Sequence, residues 1–210
     1  MNNITSLLAR AFFMSTPLIL GALGEVIAER TGMMVTAVEG IFLIGAWGGF
    51  IGAYISGNLY LGFLLAMVCG LMVALLYALT TVYMNQHQIV MGTAISILVT
   101  GFCTFFYRVI FGIQTTPLKV EVLSTIQIPV LSQIPFIGKI LFSQNIITYL
   151  AYLLIPIILF VMNHTALGLT LRSCGENPEA VDTAGIDILK IRFAAVAVAG
   201  CLGGIAGAYY

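Results

Sequence analysis

The chain has 210 residues, 60% of them hydrophobic and only 8% charged, with a mean hydropathy of +1.09. Soluble domains carry about 25% charged residues and disordered chains hold far less apolar content, so both are excluded and an integral membrane protein remains. Eight basic and eight acidic residues cancel to zero net charge, which leaves no basic field for a nucleic-acid backbone and excludes nucleic acid as a partner.

A first apolar stretch over about 8–28 predicts a membrane-crossing helix, cut short by Glu25 and Glu29. Arg10, the run after it and Ala22-Leu23-Gly24 also have the outline of a cleaved signal. The spans that follow favour a transmembrane helix instead. From Gly40 to Tyr107 there are 68 residues without Asp, Glu, Lys or Arg. One crossing takes about 20 residues, so this stretch holds about three. They are predicted over about 36–56, 60–84 and 89–112. A Ser56-Gly57-Asn58 turn and the polar break Asn85-Gln86-His87-Gln88 separate them. Gly45/Gly49 and Gly48/Gly52 stand at the spacing that lets helix backbones approach closely.

The connection over 113–144 contains Pro117, Pro129 and Pro135 and is too broken to span. Its Ile, Val and Leu content predicts packing on the membrane surface. A fifth span over 145–163 carries Pro156, a kink site. Seven of the sixteen charges then fall within 172–192, which predicts a solvated loop over 164–191. A sixth span starts near Arg192 and carries Gly200/Gly204 and Gly203/Gly207. The chain stops inside apolar sequence, which predicts a longer parent protein. The expected fold class is all-α: a polytopic transmembrane helix bundle of about six segments, one domain over 1–210.

Lys and Arg divide four against four between the two sides, so they set no orientation. Cys69, Cys103, Cys174 and Cys201 have no CxxC spacing, and three lie in apolar runs. They read as small buried hydrophobes, with no disulfide framework or zinc site expected. Within the charged loop, 177–185 predicts a helix of about two turns. Asn177 is the N-cap, Pro178 takes the first helical position, and Glu179 and Asp182 lie near the positive end of the dipole. Gly185 suits the left-handed position after the last turn, and Ala180, Val181 and Ala184 are expected on one face. A helix this short needs something to hold it. That is either the protein's own surface loops or a cytoplasmic partner.

The run from Gly168 through Arg172, Gly175-Glu176-Asn177-Pro178-Glu179-Ala180-Val181 and Ala184-Gly185 to Ile186 resembles the cytoplasmic coupling loop of bacterial ABC importer permeases. The resemblance is to the branch for branched-chain amino acids, sugars and nucleosides. Ala22-Leu23-Gly24-Glu25, Glu29-Arg30-Thr31-Gly32 and Glu39-Gly40 are similar to the opening motif of the nucleoside subgroup. So are Gln88-Ile89-Val90-Met91-Gly92, Tyr107-Arg108, Phe111-Gly112 and the Ile128-Pro129…Ile134-Pro135…Gly138…Leu141-Phe142 pattern. One departure stands out. The subgroup's Asn-Ile-Gly-Leu-Glu-Gly run is Val35-Thr36-Ala37-Val38-Glu39-Gly40 here, with Val35 replacing Asn.

The resemblance implies a pathway built by two permease subunits in a bacterial plasma membrane. Two cytoplasmic ATPase subunits hold the ATP and push on the coupling helices, and a substrate-binding lipoprotein delivers nucleoside from outside. No cofactor or metal is implied on this chain. Residues 164–191 would be cytoplasmic, 113–144 would face out, the N-terminus would lie outside and 25–35 inside. Gly175, Glu176, Asn177, Pro178, Glu179, Ala180, Val181, Ala184 and Gly185 become the expected ATPase-coupling residues. Sugars or branched-chain amino acids are the alternative substrates.

Five polar residues are candidates for the substrate pathway: Thr36, Glu39, Gln88, Thr93 and Ser96. Glu39 opens an apolar span, and an ionisable residue there points to function, with interfacial snorkelling or a pair with Arg30 as the alternative. Nucleosides need hydrogen bonds and apolar ring contact, but Gln, Thr and Ser in spans also serve as helix–helix glue. His87 and His164 lack a second ligand at metal spacing, and Trp47 and the tyrosines read as packing or belt residues. No GxSxG, HExxH or paired intramembrane Asp is present, so no enzyme is expected. The uncharged run disfavours a proton-coupled carrier; a sodium-coupled carrier using backbone carbonyls stays open.

Overall fold

A computed structural model describes residues 2–112, 125–127 and 143–210. Eight helices are present among them. They are α1 (Asn2–Glu29), α2 (Val38–Ser56), α3 (Leu59–Ala78), α4 (Gln88–Phe111), α5 (Ile146–His164), α6 (Ala166–Glu176), α7 (Pro178–Thr183) and α8 (Ile188–Tyr209). α3 runs on through one π turn over Leu79–Tyr83. Six of these helices are long and apolar enough to cross a membrane: α1, α2, α3 with its π turn, α4, α5 and α8. The bundle is all-α, as expected. Among the described residues one ribbon pairs β1 (Thr125–Gln127) with β2 (Ser143–Asn145) antiparallel, Thr125 opposite Asn145. Pro117, Pro129 and Pro135 of the connection over 113–144 lie outside the described residues.

Local chemistry sets the boundaries. Gly57 is left-handed (φ 64°) and closes α2, and the Asn58 side chain accepts from the Tyr60 N–H to open α3. α5 runs on through Pro156. The stretch expected as one charged loop with a single short helix differs. It holds two helices, because Thr165 caps α6 by accepting from the Gly168 N–H at 3.3 Å. α6 is amphipathic, with Gly168 and Cys174 buried and Leu167 and Leu169 exposed. α8 also begins earlier than expected, at Ile188. The Asp187 side chain accepts from the Lys190 N–H and carries Lys190 and Arg192 into the helix.

α8 is the axis of the bundle, packed against α1, α2 and α3. Its buried residues are Ala195, Val196, Ala199, Gly200, Gly203, Gly204, Ala206 and Gly207, almost all small. Small residues let backbones come close enough for dispersion to hold helices together without a hydrophobic drive. A Cβ added at Gly70 of α3 would stand 2.5 Å from the Gly200 oxygen and 2.7 Å from the Gly204 Cα. One added at Gly204 would collide with the Ala66 carbonyl, and one at Gly207 with that of Phe42. α4 lies on α2, where Trp47 meets Phe102 and Phe106 edge-on. Much of its other surface is exposed, including Ile97, Leu98 and Phe105. α5 joins α1 and α8 around Leu20, Ala151 and Ala206.

Gly204→Val is expected to force α3 away from α8, at a cost of roughly 1–3 kcal/mol or more for an overpacked contact. Gly101→Ala, with no atom within 4 Å of the added carbon, should be neutral or stabilising by up to about 1 kcal/mol. Thermal unfolding of the detergent-solubilised protein compares the two. Equal melting points would contradict the seam.

Candidate functional site

The chain between α1 and α2 is not helical, and it lies inside the bundle rather than beyond it. α1 ends in a paired C-cap. Gly32 is left-handed (φ 80°), its N–H bonds to the Glu29 oxygen at 2.9 Å, and the Met33 N–H reaches the Ala28 oxygen at 3.2 Å. From there burial alternates. Thr31, Met33, Val35 and Ala37 are 0–2% exposed, whereas Gly32, Met34 and Thr36 are more open. α2 then begins well along α8. A Cβ added at Gly203 would lie 2.8 Å from the Ile41 side chain, and Gly203 lies about 22 Å along α8 from Ile188 at 1.5 Å per residue.

Buried backbone outside a helical ladder needs partners, because an unpaired buried group keeps its full desolvation cost. Four helices provide them. From α1, the Glu25 carboxylate accepts from the Val35 N–H at 2.8 Å. From α3, the Tyr77 hydroxyl donates to the Met34 carbonyl at 2.5 Å. From α4, Gln88 Oε1 accepts from the Met34 N–H at 2.9 Å. From α8, Arg192 Nε donates to the Thr31 carbonyl at 3.1 Å. Two side chains of the segment donate in return: Thr36 Oγ1 to the Gln88 carbonyl at 2.9 Å and Thr31 Oγ1 to the Ala28 carbonyl at 2.7 Å.

The expected pathway residues divide accordingly. Thr36 and Gln88 are bonded to each other across the α2–α4 junction. Gly92 lies directly against Thr36, and Ser96 packs on Gly40 with its hydroxyl buried and unpartnered. Thr93 is exposed and bonds back to the Ile89 and Val90 carbonyls of its own helix. Glu39 is exposed in the first turn of α2. It was expected at the membrane edge, but the linker at 30–37 carries the start of α2 into the bundle, where Gly40 packs on Ser96 two turns into α4. Among the described residues no cation pairs with it, Arg30 included. Val35 buries its side chain in the core, next to Met33, Tyr77 and Ile95 in the same cluster. A cavity of about 460 Å³ lies beside the segment, lined in part by Met34, Gln88, His87, Thr81 and Arg192.

The loop over 164–191, expected to couple to an ATPase, touches this segment. Gly175, at the end of α6, packs directly on the Arg30 carbonyl, and a Cβ added at Gly32 would lie 3.6 Å from the Gly175 Cα. Below it Asn177 accepts from the Ala180 N–H at 3.2 Å and caps α7. Gly185 is left-handed (φ 79°) and its N–H bonds to the Asp182 oxygen. Ala180 and Ala184 are exposed. Val181, expected beside them, is instead 5% exposed and anchors α7 to the protein. Glu176 and Glu179 are exposed and Pro178 is half-buried. The Lys190 ammonium lies 3.1 Å from Asp187, and its hydrogen bonds hold that carboxyl below the usual range.

Comparison with known proteins now decides the family. The family described as "Branched-chain amino acid transport system / permease component" matches residues 7–210. The chain belongs to that permease family. The permease is 36% identical over 203 residues to a guanosine ABC transporter permease protein of Bacillus subtilis, covering 93% of this chain and 64% of that one. It is 34% identical to a nucleoside ABC transporter permease protein of Lactococcus lactis, over 100% and 68%. It is 33% identical to a putative glucose ABC transporter permease protein of Haloferax volcanii, over 93% and 59%. The chain thus spans about two thirds or less of the length of these relatives. No solved structure matches it. Family and helices together make this permease a multi-pass membrane protein.

Sequence reasoning singled out Thr36 and Gln88 but passed over Glu25, Tyr77 and Arg192. Glu25 and Arg192 carried a signal, as charges at the ends of apolar runs. Tyr77 was one of nine tyrosines and carried none. Tyr77→Phe should leave the buried Met34 carbonyl unpaired and cost about 1–3 kcal/mol. Thr93→Val, on the exposed face, should stay within about 0.5 kcal/mol. Chemical unfolding in detergent measures both.

Proposed function

We propose that the chain is a transmembrane permease subunit of an ATP-driven ABC importer, with nucleosides as substrate. The observation that carries this is the contact between the loop over 164–191 and the broken segment, Gly175 on Arg30, beside the bond from Arg192 of α8 to Thr31. A short capped helix with an exposed Ala180–Ala184 face is a docking surface for a cytoplasmic ATPase. A push on that helix would pass through Gly175 into the linker at 30–37, whose backbone is held by side chains rather than by a helical ladder. In this reading the ATPase subunits bind ATP, and this chain binds no cofactor and catalyses no reaction.

Glu39 and Thr93, exposed deep in a spanning bundle, fit a surface that a second permease subunit covers across a polar pathway. Exposed carboxylates in spans face water-filled cavities or partners, not lipid. Solute would arrive from an extracytoplasmic binding lipoprotein, and the setting is a bacterial plasma membrane. The nucleoside assignment is supported by the guanosine and nucleoside permease relatives. A sugar is the second reading, supported by the glucose permease relative.

Ala180→Arg or Ala184→Arg is expected to abolish ATP-dependent uptake while membrane insertion persists. Uptake of radiolabelled guanosine, with ATPase and binding protein co-expressed, tests it. Unlabelled uridine should compete, and glucose and leucine should not. Normal uptake by the arginine variants would sink the docking role. Competition by glucose would transfer the assignment to sugars.

A further inference from the structure

The four side chains that hold the linker do not act at one place. Glu25, Tyr77 and Gln88 hold Met34 and Val35. Arg192 acts at the other end, on Thr31, next to the loop over 164–191. It is also the one cation of the four.

That cation is out of place on its own helix. Lys190 and Arg192 both stand near the amino-terminal end of α8, which begins at Ile188. The helix dipole is positive there and disfavours both. Lys190 is compensated by Asp187, 3.1 Å away. Among the described residues no carboxylate pairs with Arg192.

Its compensation comes from two other helices. α1 ends at Glu29 and α6 at Glu176, and a helix carries partial negative charge at its carboxyl end. The half-buried Arg192 side chain reaches the first of these ends, where its Nε donates to the Thr31 carbonyl at 3.1 Å. Gly32 marks where the second arrives. A Cβ placed there would lie 3.5 Å from Arg192 Nη2 and 3.6 Å from the Gly175 Cα. The charge is felt inside α6 as well: burial pushes the Cys174 thiol up, and Arg192 draws it part of the way back. Gly175 packs directly on the Arg30 carbonyl. The two helix ends therefore meet backbone to backbone, with the guanidinium at their junction.

Packing and charge do different work at such a junction. A glycine against a carbonyl transmits compression only, since nothing holds the two surfaces together when they part. Coulomb attraction falls slowly with distance, and a half-buried charge is screened less by salt than an exposed one. A guanidinium also stays charged throughout the physiological range. We propose that Arg192 is the positioning residue that ties the linker to the loop over 164–191: its charge holds the ends of α1 and α6 together, so that Thr31 follows Gly175 when α7 is drawn back as well as when it is pushed. The proposal rests on the ATPase-docking reading above and adds the return stroke to it.

The test reconstitutes the permease with its ATPase and binding protein in proteoliposomes and measures tritiated guanosine taken up per ATP hydrolysed. A merely structural loss lowers uptake and hydrolysis together and leaves that ratio unchanged. Arg192→Gln, which keeps a donor and loses the charge, should lower the ratio about tenfold. Arg192→Lys, which keeps the charge, should stay within about twofold of the original. Lys190→Gln, whose ammonium pairs with Asp187, should leave the ratio unchanged. If Arg192→Gln does not assemble, Arg192→Lys decides: a ratio within about twofold supports the tie, and a loss of about tenfold overturns it. An unchanged ratio in Arg192→Gln, or an equal loss in the glutamine and lysine variants, would also overturn it, while ATP-dependent uptake by the unmodified permease keeps the transport reading. Absence of ATP-dependent uptake in the unmodified protein would remove that reading and the tie with it.

Discussion

A buried peptide group must find its hydrogen bond within the protein. Most of this chain meets that demand with helical ladders. Residues 31–37 do not, and the arrangement around them follows from the need. Glu25, Tyr77, Gln88 and Arg192 each turn a side-chain polar group onto the same short stretch of backbone. Each comes from a different helix, so the segment ties α1, α3, α4 and α8 together. Every one of these side chains would be costly in an apolar span on its own. Directed at unpaired backbone, they and the backbone satisfy one another.

The small-residue seam around α8 makes this possible. Gly200, Gly204 and Gly207 bring α2 and α3 to near backbone contact with α8. That closeness sets how far a tyrosine on α3 or an arginine on α8 has to reach. Larger residues in the seam would widen the bundle and leave Tyr77 short of the Met34 carbonyl. Packing and polar satisfaction are therefore one constraint here, stated once for carbon and once for oxygen and nitrogen.

Much of the fold is legible in the sequence, because charge avoidance and length fix where apolar helices run. The uncharged run from Gly40 to Tyr107 yields three spans with ends within about two residues of those observed. The glycine pairs point to the seam, and Asn177, Pro178 and Gly185 mark α7. What stays hidden depends on distance in the chain. Nothing near Tyr77 or Glu25 says which backbone group each will meet, since the partners are 43 and 10 residues away. The inward turn of Val181 is hidden too, because a two-turn helix has too little periodicity to choose its buried face. The depth of Glu39 follows from the non-helical 30–37 linker, whose C-capping glycine is visible but whose path through the bundle is not.

The seam has a mechanical consequence. Helices whose backbones interlock through glycine cannot slide past one another without collision, so α2, α3 and α8 behave as one stiff block. The helical ladder is interrupted at two places outside those contacts: the linker at 30–37 and the π turn at Leu79–Tyr83, whose Tyr83 ring rests 5.7 Å from that of Phe193. Both border the same cavity, lined in part by Met34 and Thr81. Any relative movement of the helices would have to be taken up at these two breaks rather than inside the block.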